Sequence, residues 1–209
     1  MRRILTFSLL IAVALAFGSG CFSYSTLHTA KPVEQGKTEM TLAPGYFGGG
    51  VSNEASGDIP TAEFAARHGL TPDLDVGAKV FPVGVAFDAN YAFINTPDFA
   101  VSANPYVSVT RLSSGTGSVT WGFALLNILA DVVSTDMATV TVGAKPGFLY
   151  GFGSGDTAGS STGAWMGGMA GVKLHLTDTF ALMPNFDIMT PIDGFGDTFL
   201  YNFGVAVSY

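Results

Sequence analysis

Hydrophobic residues alternate with small or polar ones, at a period of two, in segment after segment of this chain. Val85, Phe87, Ala89, Tyr91 and Phe93 oppose Ala86, Asp88, Asn90 and Ala92. Leu74, Val76, Ala78 and Val80 oppose Asp75, Gly77 and Lys79. Phe180, Leu182, Pro184, Phe186 and Ile188 oppose Ala181, Asn185 and Asp187, and Ala170, Val172, Leu174 and Leu176 oppose Gly171, Lys173 and His175. Such a period sends neighbouring side chains to opposite faces of a strand, whereas a helix groups positions three and four apart. Turn residues separate the segments. Together they predict strands near 37–47, 61–70, 74–82, 84–94, 99–112, 118–129, 137–150, 163–176, 179–188 and 197–209.

A soluble sandwich alternates as well, so the connections must decide. Counted from the first strand, the even connections are tight: Thr71-Pro72-Asp73, Asn95 to Asp98 and Thr177-Asp178. The fourth even one, around Asp131 to Asp136, is blurred because Leu125 to Val133 is apolar and hides the strand end. The odd connections run longer and are rich in Gly, Ser and Asp: Gly48 to Pro60, Ser113 to Gly117, Gly151 to Thr162 and Met189 to Asp197, with Pro82 to Gly84 a short exception. Short turns on one rim and long loops on the other is the build of outer-membrane barrels. Aromatics fall at both strand ends. Tyr46, Trp121, Phe148, Tyr150, Phe199 and Tyr201 lie toward the long-loop side, and Tyr91, Phe93, Phe99, Phe180 and Tyr209 toward the short-turn side. Two such rings are expected where a barrel meets the two membrane interfaces. Trp165 has the wrong parity for a lipid face, so it either stands above the bilayer or belongs to a strand that starts earlier. The fold class expected is all-β: a closed antiparallel transmembrane β-barrel of about ten strands, or about eight if 74–94 or 118–150 is over-divided.

The two ends of the chain add to this picture. At the carboxyl end Tyr201, Phe203, Val205, Val207 and Tyr209 oppose Asn202, Gly204, Ala206 and Ser208, and the last residue is aromatic. Asn202, Gly204, Val207 and Tyr209 resemble the C-terminal assembly signal of bacterial outer-membrane β-barrels. At the amino end, Met1-Arg2-Arg3 precedes largely apolar residues from Ile4 to Phe17, then small residues and Cys21. That order is a secretory signal peptide, too short to span a bilayer. Gly18-Ser19-Gly20-Cys21 resembles a bacterial lipoprotein cleavage box, departing from it at Gly18, where the family has a leucine-like residue. The resemblance implies acylation of Cys21, and Phe22 is compatible with outer-membrane sorting. Residues 1–20 are thus read as signal peptide, 21–36 as a polar, irregular periplasmic linker, and 37–209 as barrel. Over 37–209 the pattern is similar to that of the small OmpA-type barrels. This implies residence in the outer membrane with both termini periplasmic, and partnership with outer-membrane lipids and the barrel assembly machinery.

Composition narrows the chemistry. Without residues 1–20, Lys plus Arg falls from 9 to 7 while Asp plus Glu stays 16, a formal charge of −9. Such a chain offers no footprint for nucleic acid. Cys21 is the sole cysteine, which rules out an internal disulfide and a thiolate metal site. No segment after the signal peptide is apolar enough for a membrane helix.

Strand parity sends Glu39, Glu63, Asp75, Asp88 and Asp187 inward, against Arg67, Lys79, Lys145 and Lys173, with His175 nearby. A nearly balanced interior suits a narrow barrel filled by side chains, since an unpaired charge at low dielectric costs several kcal/mol. An ion-paired plug is the first reading of these charges, and a selective pore the second. Known outer-membrane barrel enzymes generally need a His with a Ser or carboxylate partner at one site. Here His28 lies in the linker and His68 and His175 beside periplasmic turns, so neither a catalytic site nor a third ligand for a metal pair is mapped. Gly151-Phe152-Gly153-Ser154-Gly155 lacks the lysine and helix of a phosphate loop and reads as a flexible loop. The expected role is structural or surface-interacting and not enzymatic, without cofactor, displaying Glu54, Asp58, Asp156, Asp193 and Asp197 outward toward an unknown ligand. A narrow channel for small solutes is the alternative, and an envelope enzyme the third reading.

Overall fold

The dyad pattern is realised as strands along nearly the whole chain. The computed structural model describes residues 23–51, 54–114, 117–155, 159–193 and 198–209. Its elements are β1 (Thr38–Val51), β2 (Glu54–Thr71), β3 (Leu74–Phe81), β4 (Gly84–Asn95), β5 (Ala100–Ser114), β6 (Gly117–Ser134), β7 (Ala138–Ala144), β8 (Gly147–Gly155), β9 (Gly159–Thr177), β10 (Phe180–Pro191) and β11 (Thr198–Ser208). Each is antiparallel to its neighbours. β1 pairs with both β2 and β11, so the sheet has no free edge. Closure runs to the last residue: Met40 and Tyr209 exchange both main-chain hydrogen bonds at 3.0 Å.

β7 and β8 form one stave of the barrel. Both pair with β6 on one side and β9 on the other, and the ladder with β9 keeps a single unshifted register from Ala138↔Leu174 to Gly153↔Gly159. They part only at Lys145-Pro146, where proline has no N–H to give the ladder. Even there Lys145 exchanges hydrogen bonds with Gly167, and the Pro146 carbonyl accepts from Leu126 N at 2.9 Å. The wall is therefore a closed antiparallel barrel of ten strands, the larger of the two counts expected from the pattern.

Loop asymmetry takes a different form from the one expected. The upper rim carries the β1–β2, β3–β4, β5–β6, β8–β9 and β10–β11 connections, and the lower rim the β2–β3, β4–β5, β6–β7 and β9–β10 connections. On the upper rim the Gly- and Ser-rich stretches expected as long loops mostly continue as paired strand: β1 reaches Val51, β2 starts at Glu54, β8 reaches Gly155 and β9 starts at Gly159. Ladder bonds are made by the main chain, so a weakly patterned sequence still pairs once its hairpin is in register. The Gly151 to Gly155 segment is thus strand, pairing Ser118↔Ser154 and Gly151↔Ser161, and not a loop. Asp156 and Asp197 lie outside the described residues, while Asp193 is exposed and accepts a bond from Ala164 N at 3.2 Å.

The two faces of the wall differ in kind. Val80, Val85, Phe87, Tyr91, Val107, Leu126, Phe186, Ile188 and Phe203 are among the large apolar side chains exposed outside. Their neighbours Lys79, Ala86, Asn90, Asn127, Asp187 and Asn202 are buried inside. Tyr150 lies on the outer face across Gly122, with its hydroxyl donating to the Ser108 carbonyl at 2.8 Å. A side chain at Gly122 would strike both, which is why glycine stands there. Neither tryptophan stands in a lipid-facing belt, a place expected only of Trp121. Trp121 pairs with the inward Thr110 and shares the inner face near the upper rim. Trp165 is buried in the lumen, because β9 starts at Gly159 and its parity carries the ring inside.

Candidate functional site: the occupied lumen

The irregular segment before β1 is not a free linker. From Ser23 to Ala30 every residue is buried, and the segment runs down the inside of the barrel with no helix or strand of its own. Its upper end is fixed by the Tyr24 ring, which packs edge-on against Phe47 and Phe123 at 6.0 and 5.4 Å; Phe123 in turn meets Trp165. Its lower end meets the lower rim, where Lys31 Nζ donates to the Pro97 carbonyl at 3.3 Å.

A buried main chain without secondary structure must find partners elsewhere. The wall supplies them with side chains. Tyr106 Oη donates to Ser23 O at 2.7 Å, Lys145 Nζ donates to Tyr24 O, and Lys79 Nζ donates to Ser25 O at 2.9 Å. Thr26 N donates to Asp187 Oδ2, and Thr26 O accepts from Asn185 Nδ2, both at 3.3 Å. Asn90 Nδ2 donates to Ala30 O at 3.1 Å, and Asp131 accepts from Ala30 N and Lys31 N at 2.9 Å each. Val33 N donates to Asp75 Oδ2 at 2.7 Å.

The inward charges pair beneath these contacts. Arg67 bridges Asp75 and Asp88, its Nη1 lying 2.6 Å from Asp88 Oδ1. Lys79 meets Glu63 at 2.9 Å, and Glu63 also accepts from Ser25 Oγ at 2.6 Å. Lys145 meets Asp187 at 2.5 Å, with neither side chain exposed at all. Lys173 meets Glu39 at 2.7 Å nearer the lower mouth. Lys79 and Lys145 each lie 5.3 Å from a ring centroid, of Tyr106 and Tyr24 respectively. All nine charges that parity sends inward stand here in four groups.

Sequence reasoning missed the polar residues that grip the segment. Asp131 was read as part of a turn, yet it is buried in β6. It has no cationic partner among the described residues; two main-chain N–H groups and the Thr141 hydroxyl, at 2.6 Å, hold its charge. Asn104 joins Asp88 to Asn127 by bonds of 2.8 Å each. Alternation placed Asn90 and Asn185 inward, but nothing local said what they would bind. The histidines are dispersed and satisfied: His28 Nδ1 lies 2.9 Å from the Thr29 carbonyl, His68 bonds Thr38, and His175 bonds Thr139.

Little free space remains beside the segment. Between Ser25–His28 and the wall of Arg67, Lys79, Asp88 and Tyr106 the residual volume is about 20 Å³, room for a water molecule or so. A larger recess of about 470 Å³ opens at the lower mouth, bordered by Lys31, Glu39, Lys173, His175 and Tyr209. Cys21 lies outside the described residues.

No family model and no curated protein sequence matches this chain. Solved structures do. The translocator domain of the autotransporter NalP from Neisseria meningitidis is similar over 100% of this chain and 97% of its own, at 13% identity and a TM-score of 0.51. Ail, the attachment invasion locus protein of Yersinia pestis, is similar over 84% of this chain and 98% of its own, at 8% identity and a TM-score of 0.42. Neisserial surface protein A is similar over 82% of this chain and 95% of its own, at 11% identity and a TM-score of 0.44. At 13% identity the likeness to the NalP domain is one of fold alone.

Proposed function

We propose that this protein is an integral barrel of the bacterial outer membrane with a structural or surface-interacting role, its lumen closed by its own Ser23–Val33 segment. The single observation that carries the reading is the contrast between the faces. Outside, valine, leucine, isoleucine and aromatic side chains stand exposed, as only lipid would cover them. Inside, ion pairs and a seated segment fill the lumen, leaving about 20 Å³ beside Ser25–His28. The narrow-channel alternative would need that segment to leave. The enzyme reading gains nothing from three separated histidines, each bonded to a threonine.

Asn202, Gly204, Val207 and Tyr209 serve as the assembly signal in this reading. Asn202 and Gly204 face inward, while Tyr209 is exposed outside at the strand end. Lipidation of Cys21 bears on the seated segment. Two residues span at most about 7 Å, so a lipid in the leaflet at the lower rim requires Ser23 to leave its place. Metabolic lipid labelling of the wild type and of Cys21→Ser, read beside the conductance of each, separates the arrangements. The location is tested by heat-modifiable gel mobility of the protein from an outer-membrane fraction. A folded, faster-migrating band in that fraction is expected, and recovery as a soluble protein would overturn the reading.

A further inference from the structure

We propose that the lumen is a binding site for an extended polypeptide, recognised through its main chain, with Ser23–Val33 as its resident occupant and not a fixed part of the wall. Nine main-chain groups of the segment bond to wall side chains. Carboxylates of Asp75, Asp131 and Asp187 accept from N–H groups. The amines of Lys79 and Lys145, the amides of Asn90 and Asn185 and the hydroxyl of Tyr106 donate to carbonyls. Acceptors and donors are thus placed for two runs of peptide units, Ser23–Thr26 and Ala30–Val33, an order that a sugar or an ion would not require.

Side chains of the occupant add anchors at its upper end, where Tyr24 packs against Phe47 and Phe123, Ser25 Oγ bonds Glu63 and Lys79, and Thr26 Oγ1 accepts from Lys145, but those of His28 and Thr29 add no bond to the wall. Thr29 Oγ1 bonds the carbonyl of Lys31, and His28 bonds that of Thr29, so both turn back on their own segment. The wall, for its part, is complete without the occupant. Every strand has both neighbours, and among the described residues none of Ser23–Val33 pairs with the sheet; the isolated bridge Gln35↔Gly69 lies just beyond it at the lower rim. If it left, Lys79 would keep Glu63, Lys145 would keep Asp187, and Arg67 would keep Asp75 and Asp88. An emptied lumen would hold paired charges in water, ready for another main chain.

The inference rests on lumen geometry and not on membrane location, so its test runs in detergent. Glu34-Gln35, where the Glu34 side chain is 70% exposed, is replaced by a specific protease site in the full chain. The protein is folded, cut in place, and mixed with an excess of labelled synthetic peptide of sequence Ser23 to Val33. Labelled peptide is expected to exchange into the barrel, which keeps its heat-modifiable mobility. A peptide with Thr29 replaced by alanine, whose hydroxyl bonds only its own segment, should bind within about fivefold. One N-methylated at the amides of Thr26, Ala30 and Lys31 should bind at least about a hundredfold more weakly, since three charge-assisted hydrogen bonds are lost. Absence of exchange, loss of the folded band on cutting, or equal binding of the N-methylated peptide would each overturn the proposal.

Discussion

Lys145 and Asp187 give the most direct energetic test of an occupied lumen. Both side chains are wholly buried, 2.5 Å apart. Lys145 also donates to the Tyr24 carbonyl and, at 3.0 Å, to Thr26 Oγ1, and Asp187 accepts from Thr26 N and Asn185. Asp187→Asn keeps the shape and leaves an uncompensated ammonium, and breaking a buried pair in this way costs about 3–5 kcal/mol. Lys145→Met leaves a carboxylate that still accepts two hydrogen bonds, so its cost should be smaller, about 2–3 kcal/mol. The double variant Lys145→Met/Asp187→Asn buries no charge. The asparagine oxygen can still accept from Thr26 N, so it strands the Tyr24 carbonyl and Thr26 Oγ1, for about 1–3 kcal/mol together. The two single costs should therefore exceed that of the double by about 2 kcal/mol or more, a coupling read from urea unfolding in detergent or vesicles. Additive costs would mean that the pair faces open water and that the lumen is not packed as described.

Other consequences follow from the same geometry. The Tyr24 hydroxyl has no partner among the described residues, so Tyr24→Phe should change stability by less than about 1 kcal/mol, while Tyr24→Ala should cost about 3–5 kcal/mol by emptying the aromatic cluster; the same unfolding curves report both. Ala170 is exposed on the outer face and its neighbour Gly171 buried inside, so Ala170→Arg should destabilise a vesicle-refolded barrel by about 2–4 kcal/mol if that face meets acyl chains. Gly122→Ala would set a methyl group 2.1 Å from the Ser108 carbonyl and 2.2 Å from the Tyr150 hydroxyl, and refolding yield should fall well below that of Gly159→Ala, where nothing stands nearby. A polar tag after Tyr209 should reduce outer-membrane delivery in cells far more than it lowers the stability of refolded protein, and Tyr209→Phe should be silent in both.

Strand content, parity and closure were legible because each rests on local signals. A period of two is written in side chains such as Phe87/Asp88 and Phe186/Asp187, and it alone assigns a face. Strand ends were harder. At Asp131 an apolar run concealed that the strand continues, and at Gly48 to Pro60 glycine and serine hid a ladder made by the main chain. The site was less legible than the wall. Alternation could say that Asn90 and Asn185 point inward, but not that they meet Ala30 and Thr26, residues about sixty and one hundred and sixty positions away. The segment from Ser23 to Val33 is polar and unpatterned, which is how a linker reads. Its burial depends on partners supplied by seven different strands, a property of the assembled barrel and not of any window of sequence.

The central claim is that the lumen is closed by the chain's own segment, and single-channel recording of the full-length protein in a planar bilayer tests it most directly. The unaltered protein should show no stable conductance steps. Asp131→Ala combined with Asn90→Ala, which removes the three side-chain bonds to the main chain of Ala30 and Lys31, should give transient openings. A steady open channel from the unaltered protein would contradict the account.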